Sequence, residues 1–268
     1  MKKLSARRRH PLAALVVLLF ALAATGGLYA AFAPAEKAQA DSAQSLATEE
    51  GKRLYSVGCA SCHGTSGQGT HNGPSLVGVG AAAVDFQVGT GRMPAQQPGA
   101  QVPRKKAIYN QAQIDQLAAY IASLGPGPAI PSKQQYSPDG ADIANGGQLF
   151  RTNCAQCHNS TGKGGALSEG KFAPTLEGVD PKHIYEAMLT GPQNMPNFPD
   201  STMPAKDKKD IIAYLAQVDS SKAESPGGLE LGGLGPVSEG LFAWVFGLGA
   251  LITVAIWVAA RTAKARKS

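Results

Sequence analysis

Two long apolar runs frame the chain, and between them the pattern is helical but interrupted. Residues 12–33 and 241–260 carry no charged side chain, and each run is long enough to cross a hydrocarbon core as a helix. In the second run apolar residues go all round the helix, with Trp244 and Trp257 near its two ends, where interfacial anchors sit. Between the runs, Asn110 precedes a stretch in which Ile114, Leu117, Ala118 and Ile121 recur at helical spacing up to Gly125. Residues 207–218 repeat that pattern, with Ile211, Ile212 and Leu215 on the inner side. A further helix is predicted to start at Thr48, with Glu49 and Glu50 in its first turn and Leu54 and Val57 as its inward stripe. Met188 falls with Ile184 and Tyr185 on another helix and reads as core packing.

These stretches are written twice. Gly51-Lys-Arg-Leu-Tyr55 precedes Cys59-Ala-Ser-Cys62-His63, and Gly146-Gly-Gln-Leu-Phe150 precedes Cys154-Ala-Gln-Cys157-His158 in the same register. Pro74, Leu76, Gly78 and Val79 are answered by Pro174, Leu176, Gly178 and Val179, Met93-Pro94 by Met195-Pro196, and Ala119-Tyr120 by Ala213-Tyr214. Matches in one order mark an internal duplication. In this repeat Tyr55 faces Tyr120 and Phe150 faces Tyr214 as pairs that would pack the first helix of each copy on its last. The expected fold is all-α, in the following order. Residues 1–40 form a basic cytoplasmic tail and membrane anchor, 41–127 a first domain, 128–136 a linker, 137–222 a second domain, and 223–240 a Gly/Pro-rich tether. A transmembrane helix at 241–260 and a basic cytoplasmic tail at 261–268 close the chain.

Charge settles the orientation this implies. The formal net charge is +6, but nine of the 25 basic residues stand in two acid-free tails, and all 19 acids lie between them. The exported body is therefore mildly acidic and has no basic patch to spare for a nucleic acid, so that class of partner is excluded. Both basic ends lie inside by the positive-inside rule, which puts everything between the spans on the outer face. Ala38-Gln39-Ala40 before Asp41 resembles a signal cleavage site, so cleavage of the first run is the alternative to an anchor. Export is common to both.

Aromatic residues are few (2 Trp, 7 Tyr, 8 Phe), while Gly (32) and Pro (18) are abundant, so no large aromatic core is available. Segments 64–91 and 159–191 are Gly- and Pro-rich with little periodicity, and loops this long need a centre other than side chains. A large apolar prosthetic group would supply one. All four cysteines fall in the two Cys-x-x-Cys-His motifs. That spacing puts both sulfurs on one face of a helical turn, where each can add to a vinyl group of one haem, and the adjacent His meets the iron. Cys59 and Cys62, and Cys154 and Cys157, are the expected covalent attachment points of two c-type haems, with His63 and His158 as axial ligands. A redox dithiol lacks the parallel-strand context here, and a zinc site lacks a matching second ligand pair.

For the sixth ligand, Met93 is the sole methionine of the first domain beyond the initiator, with His71 too near His63 in sequence to reach the opposite face. In the second domain the repeat points to Met195. Met203-Pro204 has the same appearance and stays as the alternative, with His183 a remote third. Thioether ligands fill the iron and raise its potential, which suits an electron carrier facing an oxidase and disfavours a peroxidase or gas sensor. No spare His, Cys or carboxylate pair is expected to do chemistry of its own, and Arg104-Lys105-Lys106 reads as a solvated loop or a docking patch for an acidic partner.

The loops carrying Pro74 and Pro174 resemble those of class I c-type cytochromes, whose matching proline carbonyl accepts the ring N–H of the axial His. With Gly233-Leu-Gly-Pro236-Val-Ser-Glu239-Gly240 leading into the last span, the chain as a whole resembles the dihaem cytochrome c subunit of the actinobacterial cytochrome bc1 complex. That resemblance implies two tandem class I cytochrome c domains between two transmembrane helices. It also implies Rieske iron–sulfur and cytochrome b subunits as partners, and electron delivery from menaquinol to an aa3-type oxidase. The rival is a dihaem cytochrome of a cbb3-type oxidase or of a dehydrogenase.

Overall fold

A computed structural model describes residues 11–32, 35–99, 101–219 and 236–265. The basic residues at 2–9, 266 and 267, and most of the predicted tether, lie outside the described residues. Contacts divide the chain into two compact units, residues 1–47 and 48–268. The described part of the first is helical. Helix α1 (Pro11–Phe32) exposes its apolar side chains and is long and apolar enough to cross a membrane. Helix α2 (Ala35–Gly58) begins well before the expected start at Thr48. Residues 35–47 contain neither Gly nor Pro, and five of the thirteen are Ala, so nothing breaks the helix, and Thr48 is an interior position.

The second unit holds two apolar clusters, one for each copy of the repeat. The first gathers Tyr55 from α2, Val84 and Val88 from α4 (Gly80–Gly89), and Ile114, Leu117, Ala118, Tyr120 and Ile121 from α5 (Gln111–Ser123). Asn110 caps α5 reciprocally: its side chain accepts from the Gln113 amide at 3.0 Å, and Gln113 Oε1 accepts from the Asn110 amide at 3.1 Å. Helix α3 (Ala60–His63) is the single turn carrying the first Cys-x-x-Cys-His motif. Val57 does not face inward. It is 87% exposed, while Gly51, Leu54 and Tyr55 occupy the packed face. Helix α4 is an addition to the expected loop. Ala82, Val84, Asp85, Phe86 and Val88 are all buried, so the helix is enclosed on most sides and shows no amphipathic period.

The second cluster is built alike. It draws on α7 (Ile143–Asn153), α9 (Pro181–Thr190) and α10 (Ala205–Val218), with short turns α6 (Lys133–Tyr136) and α8 (Ala155–His158). Two-residue strands β1 (Gly165–Ala166) and β2 (Phe172–Ala173) pair antiparallel in the loop after the motif. Met188 is buried in this cluster, as expected. Helix α11 (Pro236–Phe242), a π segment (Ala243–Leu248) and α12 (Gly249–Ala265) form the second membrane-length run. There Arg261 lies 4.4 Å above the Trp257 ring, a cation over an aromatic at the end of the span.

The repeat glycines explain the helix crossing. The rings of Tyr55 and Tyr120 are 5.1 Å apart and those of Phe150 and Tyr214 5.5 Å, so the expected first-on-last packing is present in both copies. It depends on backbone approach: a Cβ at Gly51 would stand 1.9 Å from the Gln116 carbonyl oxygen, and one at Gly146 would stand 1.9 Å from that of Asp210. Gly51→Ala or Gly146→Ala should therefore push two helices apart and lower stability by about 1–3 kcal/mol each, as overpacking does. Thermal unfolding of the purified variants checks this, and an unchanged Tm would show that the crossing is not close-packed.

Candidate functional site

Each Cys-x-x-Cys-His motif is a helical turn that pins a buried His against the next loop. In the first, Tyr55 Oη donates to the Gly64 carbonyl at 2.6 Å, which ties the turn after the motif to the core. His63 is buried, and its Nδ1 lies 2.8 Å from the Pro74 carbonyl. The copy repeats this, with Tyr214 Oη donating to Ser160 O at 2.9 Å and His158 Nδ1 lying 3.0 Å from Pro174 O. A carbonyl only accepts, so in both rings Nδ1 carries the proton and Nε2 keeps its lone pair for a metal. Burial lowers the pKa of His158, which also favours the neutral, ligating ring.

The cysteines are not paired with each other. None of the four forms a disulfide, and burial, with the neighbouring thiol adding to it, pushes the Cys59 and Cys154 thiols up to about 11. A dithiol redox centre needs a depressed thiol pKa, so these pairs are not poised for thiol exchange.

In the second lobe the motif opens on a cavity of about 470 Å³ lined by Cys154, Cys157 and His158 on one side. Phe150, Leu176, Ile184, Ile211 and Leu215 make its walls apolar. Met188, Met195 and His183 also line it, whereas Met203 is absent from the lining and is buried in the core. The loop of Met203 is held from behind: the fully buried Lys208 donates to Met203 O at 2.6 Å and to Asp200 at 2.7 Å. Met93, the sixth-ligand candidate of the first lobe, packs against the first apolar cluster, and the rival His71 is exposed. Two thiols, an imidazole with a free Nε2 and a thioether around an apolar cavity are the donor set of a covalently held haem.

Similarity to known proteins follows the same division. Residues 48–125 match the cytochrome c family, and residues 141–215 match the family described as cytochrome C oxidase, cbb3-type, subunit III. Over nearly the whole chain the similarity is to proteins named cytochrome bc1 complex cytochrome c subunit. That of Mycobacterium tuberculosis is 48% identical over 96% of this chain and 93% of its own length. That of Mycobacterium leprae is 49% identical over 92% and 87%, and that of Corynebacterium efficiens 46% identical over 97% and 94%. The chain belongs to the family of cytochrome bc1 complex cytochrome c subunits.

As a cytochrome bc1 complex cytochrome c subunit it carries two cytochrome c domains, and these imply covalently bound c-type haem. What the sequence did not reveal is how the two domains of this subunit meet. Gln101 donates to Phe172 O at 2.5 Å and accepts from Phe172 N at 3.1 Å, while Gln193 donates to Val102 O at 3.0 Å and accepts from Val102 N at 3.2 Å. Two amide side chains thus bind residues 101 and 102 to the second lobe. Helix α4 also packs on α9, and there Asp85, His183 and Glu186 bring ligand atoms within 4.8 Å of one another. The sequence reading expected no such group to do chemistry of its own, and this one sits in the packing between the lobes.

Lys182 Nζ lies 2.7 Å from Asp85 Oδ2, and Gln111 donates to Asp85 Oδ1 at 3.0 Å. Burial alone would raise the Asp85 carboxyl, but hydrogen bonds from Glu186, Lys182 and Gln111 hold it below its ordinary value. Glu186 is fully buried, and neither of its oxygens has a donor among the described residues. Burial first, then the adjacent Asp85, pushes its pKa up to about 10. A proton on Glu186, donated to Asp85, reconciles the two acceptors. No local pattern could have signalled this cluster, because Asp85 stands about a hundred residues from His183 and Glu186. The Arg104-Lys105-Lys106 run is also not one patch: Lys105 donates to Pro94 O at 2.6 Å, Arg104 lines the second cavity and Lys106 is exposed.

Proposed function

We propose that this chain carries electrons from the Rieske iron–sulfur subunit of a menaquinol-oxidising bc1 complex, beside its cytochrome b subunit, to an aa3-type oxidase, with one c-type haem held in each lobe. The observation that carries the reading is the doubled donor set, Cys59, Cys62 and His63 in one lobe and Cys154, Cys157 and His158 in the other, in a chain whose full-length relatives bear the bc1 name. When bound, each haem supplies a one-electron iron couple.

The chain's own residues set the terms of that couple. Cys59 and Cys62, and Cys154 and Cys157, would hold their haems through thioether bonds, so that neither is lost from an exported protein. His63 and His158 present Nε2 because Pro74 and Pro174 accept the Nδ1 proton. Met93 and Met195 would supply thioether ligands to the iron. A thioether favours the reduced iron, raises the potential and leaves no open coordination site. The two membrane-length helices keep both lobes beside the membrane, with the basic tails inside and the lobes on the outer face.

Isolation of the tagged full chain from its own membranes in mild detergent tests this. A c-type difference spectrum accompanied by b-type haem, a Rieske protein and aa3-type bands is the expected result. The c-type band accompanied by a cbb3-type oxidase or a dehydrogenase would overturn the bc1-to-aa3 path and leave the cytochrome standing.

A further inference from the structure

The cavity of the second lobe is not built by the second lobe alone. Phe86, Thr90, Arg92 and residues 101–104 of the first lobe line it as well. Charge divides unevenly between the two contributors. Among the residues lining this cavity there is no Asp or Glu, and the only ammonium or guanidinium groups are those of Arg92 and Arg104. Both come from the first lobe.

Among the described residues neither arginine has a carboxylate partner. Arg92 is 9% exposed and stacks 4.7 Å from the centre of the Phe86 ring, but it has no hydrogen-bond or ion-pair partner among the described residues. The amide pairs of Gln101 and Gln193 fix residues 101 and 102, and thereby the start of the Arg104 segment, against the second lobe. With two like charges beside an apolar cavity, and the buried Arg92 facing no acid there, anionic groups on whatever fills it are favoured. A haem carries two carboxylates, and guanidinium is the side chain suited to bind them.

We propose that Arg92 and Arg104 of the first lobe bind the porphyrin carboxylates of the haem held by the second lobe. This rests on the reading that the second lobe holds a c-type haem. The second site is then complete only when the first lobe is folded against it. Positive charge at the carboxylates also favours the reduced iron, so the first lobe raises the potential of its neighbour's haem. Arg92 directly precedes Met93, so one peptide unit serves a carboxylate at the second site and the sixth-ligand position at the first.

The test uses the full chain in its isolated complex, with Arg104→Gln, Arg92→Gln and the double variant. Arg104 is exposed and distant in sequence from Met93, so its variant should fold and leave the first site alone. Intact mass counts the covalent haems, redox titration reads both couples, and resonance Raman reads the carboxylate bending band. The expected result is an unchanged haem count, a shifted bending band and a lower potential for one haem, the same haem in both single variants. At fixed ambient potential the double variant should lower its reduced-to-oxidised ratio about tenfold. Arg92→Lys, which keeps the charge, should restore most of that ratio. Unchanged couples and an unchanged band in Arg104→Gln would overturn the proposal, all the more if that variant only slowed transfer to the oxidase in a salt-dependent way, the mark of partner docking. A wild-type chain without haem on Cys154 and Cys157 would overturn the proposal together with the reading beneath it.

Discussion

Replacing Met195 with alanine is expected to abolish the thioether charge-transfer band of one c-type haem, convert that haem to a high-spin or water-ligated form, and lower its potential. Met203→Ala is expected to leave the band in place. The two residues share a Met-Pro dipeptide, but their surroundings separate them. Met195 lines the cavity, its own amide donating to Pro192 O at 3.1 Å. Met203 is buried in the apolar cluster, its carbonyl taken by Lys208 and its amide bonded to Pro199 O at 2.9 Å. Its truncation removes core volume and should cost about 2–5 kcal/mol of stability. Spectra and denaturation of both variants give two independent readouts. Loss of the band in Met203→Ala, with its retention in Met195→Ala, would reverse the assignment.

The Asp85–Glu186 pair carries the second large effect. Folding raises the Glu186 pKa from the ordinary 4.5 to about 10, so the folded chain keeps a proton that the unfolded chain releases between those values. Stability from this group is complete below pH 4.5 and declines as pH rises toward 10, by up to about 1.4 kcal/mol per pH unit. Asp85 has the opposite sign: its depressed value stabilises the fold above the ordinary carboxylate range, and that share is lost as pH falls through it. Glu186→Gln keeps a donor for Asp85 without a titrating proton. It should match the parent near pH 4.5 and be increasingly more stable toward alkaline pH. Asp85→Ala instead strands Lys182 and Glu186 in the contact between α4 and α9 and should cost about 3–5 kcal/mol. Circular dichroism melts across pH check both. A Glu186→Gln variant less stable than the parent at neutral pH would mean that Glu186 is ionised and serves Lys182 as a counter-charge.

Most of what each lobe does alone was legible in the sequence, because it is written in short spacings. The Cys-x-x-Cys-His turns, the Asn110 cap, the buried faces of α5 and α10 and the Tyr55–Tyr120 and Phe150–Tyr214 pairs all follow from local pattern or from register within the repeat. Helix α4 escaped because enclosure on most sides erases the amphipathic period. The inward side of α2 was misjudged at Val57 because the packed face is set by Gly51, whose missing side chain gives no hydrophobic signal. The contact between the lobes was illegible. Asp85 meets Lys182, and Gln101 meets Phe172, across sequence distances that no periodicity spans. Arg104 was read with Lys105 and Lys106 as a surface run for the same reason, since the cavity it lines belongs to the other copy.

The claim on which the rest depends is that each lobe carries its own covalent haem. Intact-mass measurement of the chain purified from its native membranes, with a pyridine haemochrome spectrum on the same sample, tests it directly. The predicted result is a polypeptide heavier by two haems, with proteolytic fragments assigning one to Cys59 and Cys62 and one to Cys154 and Cys157. A chain carrying one haem, or none with zinc in its place, would contradict it.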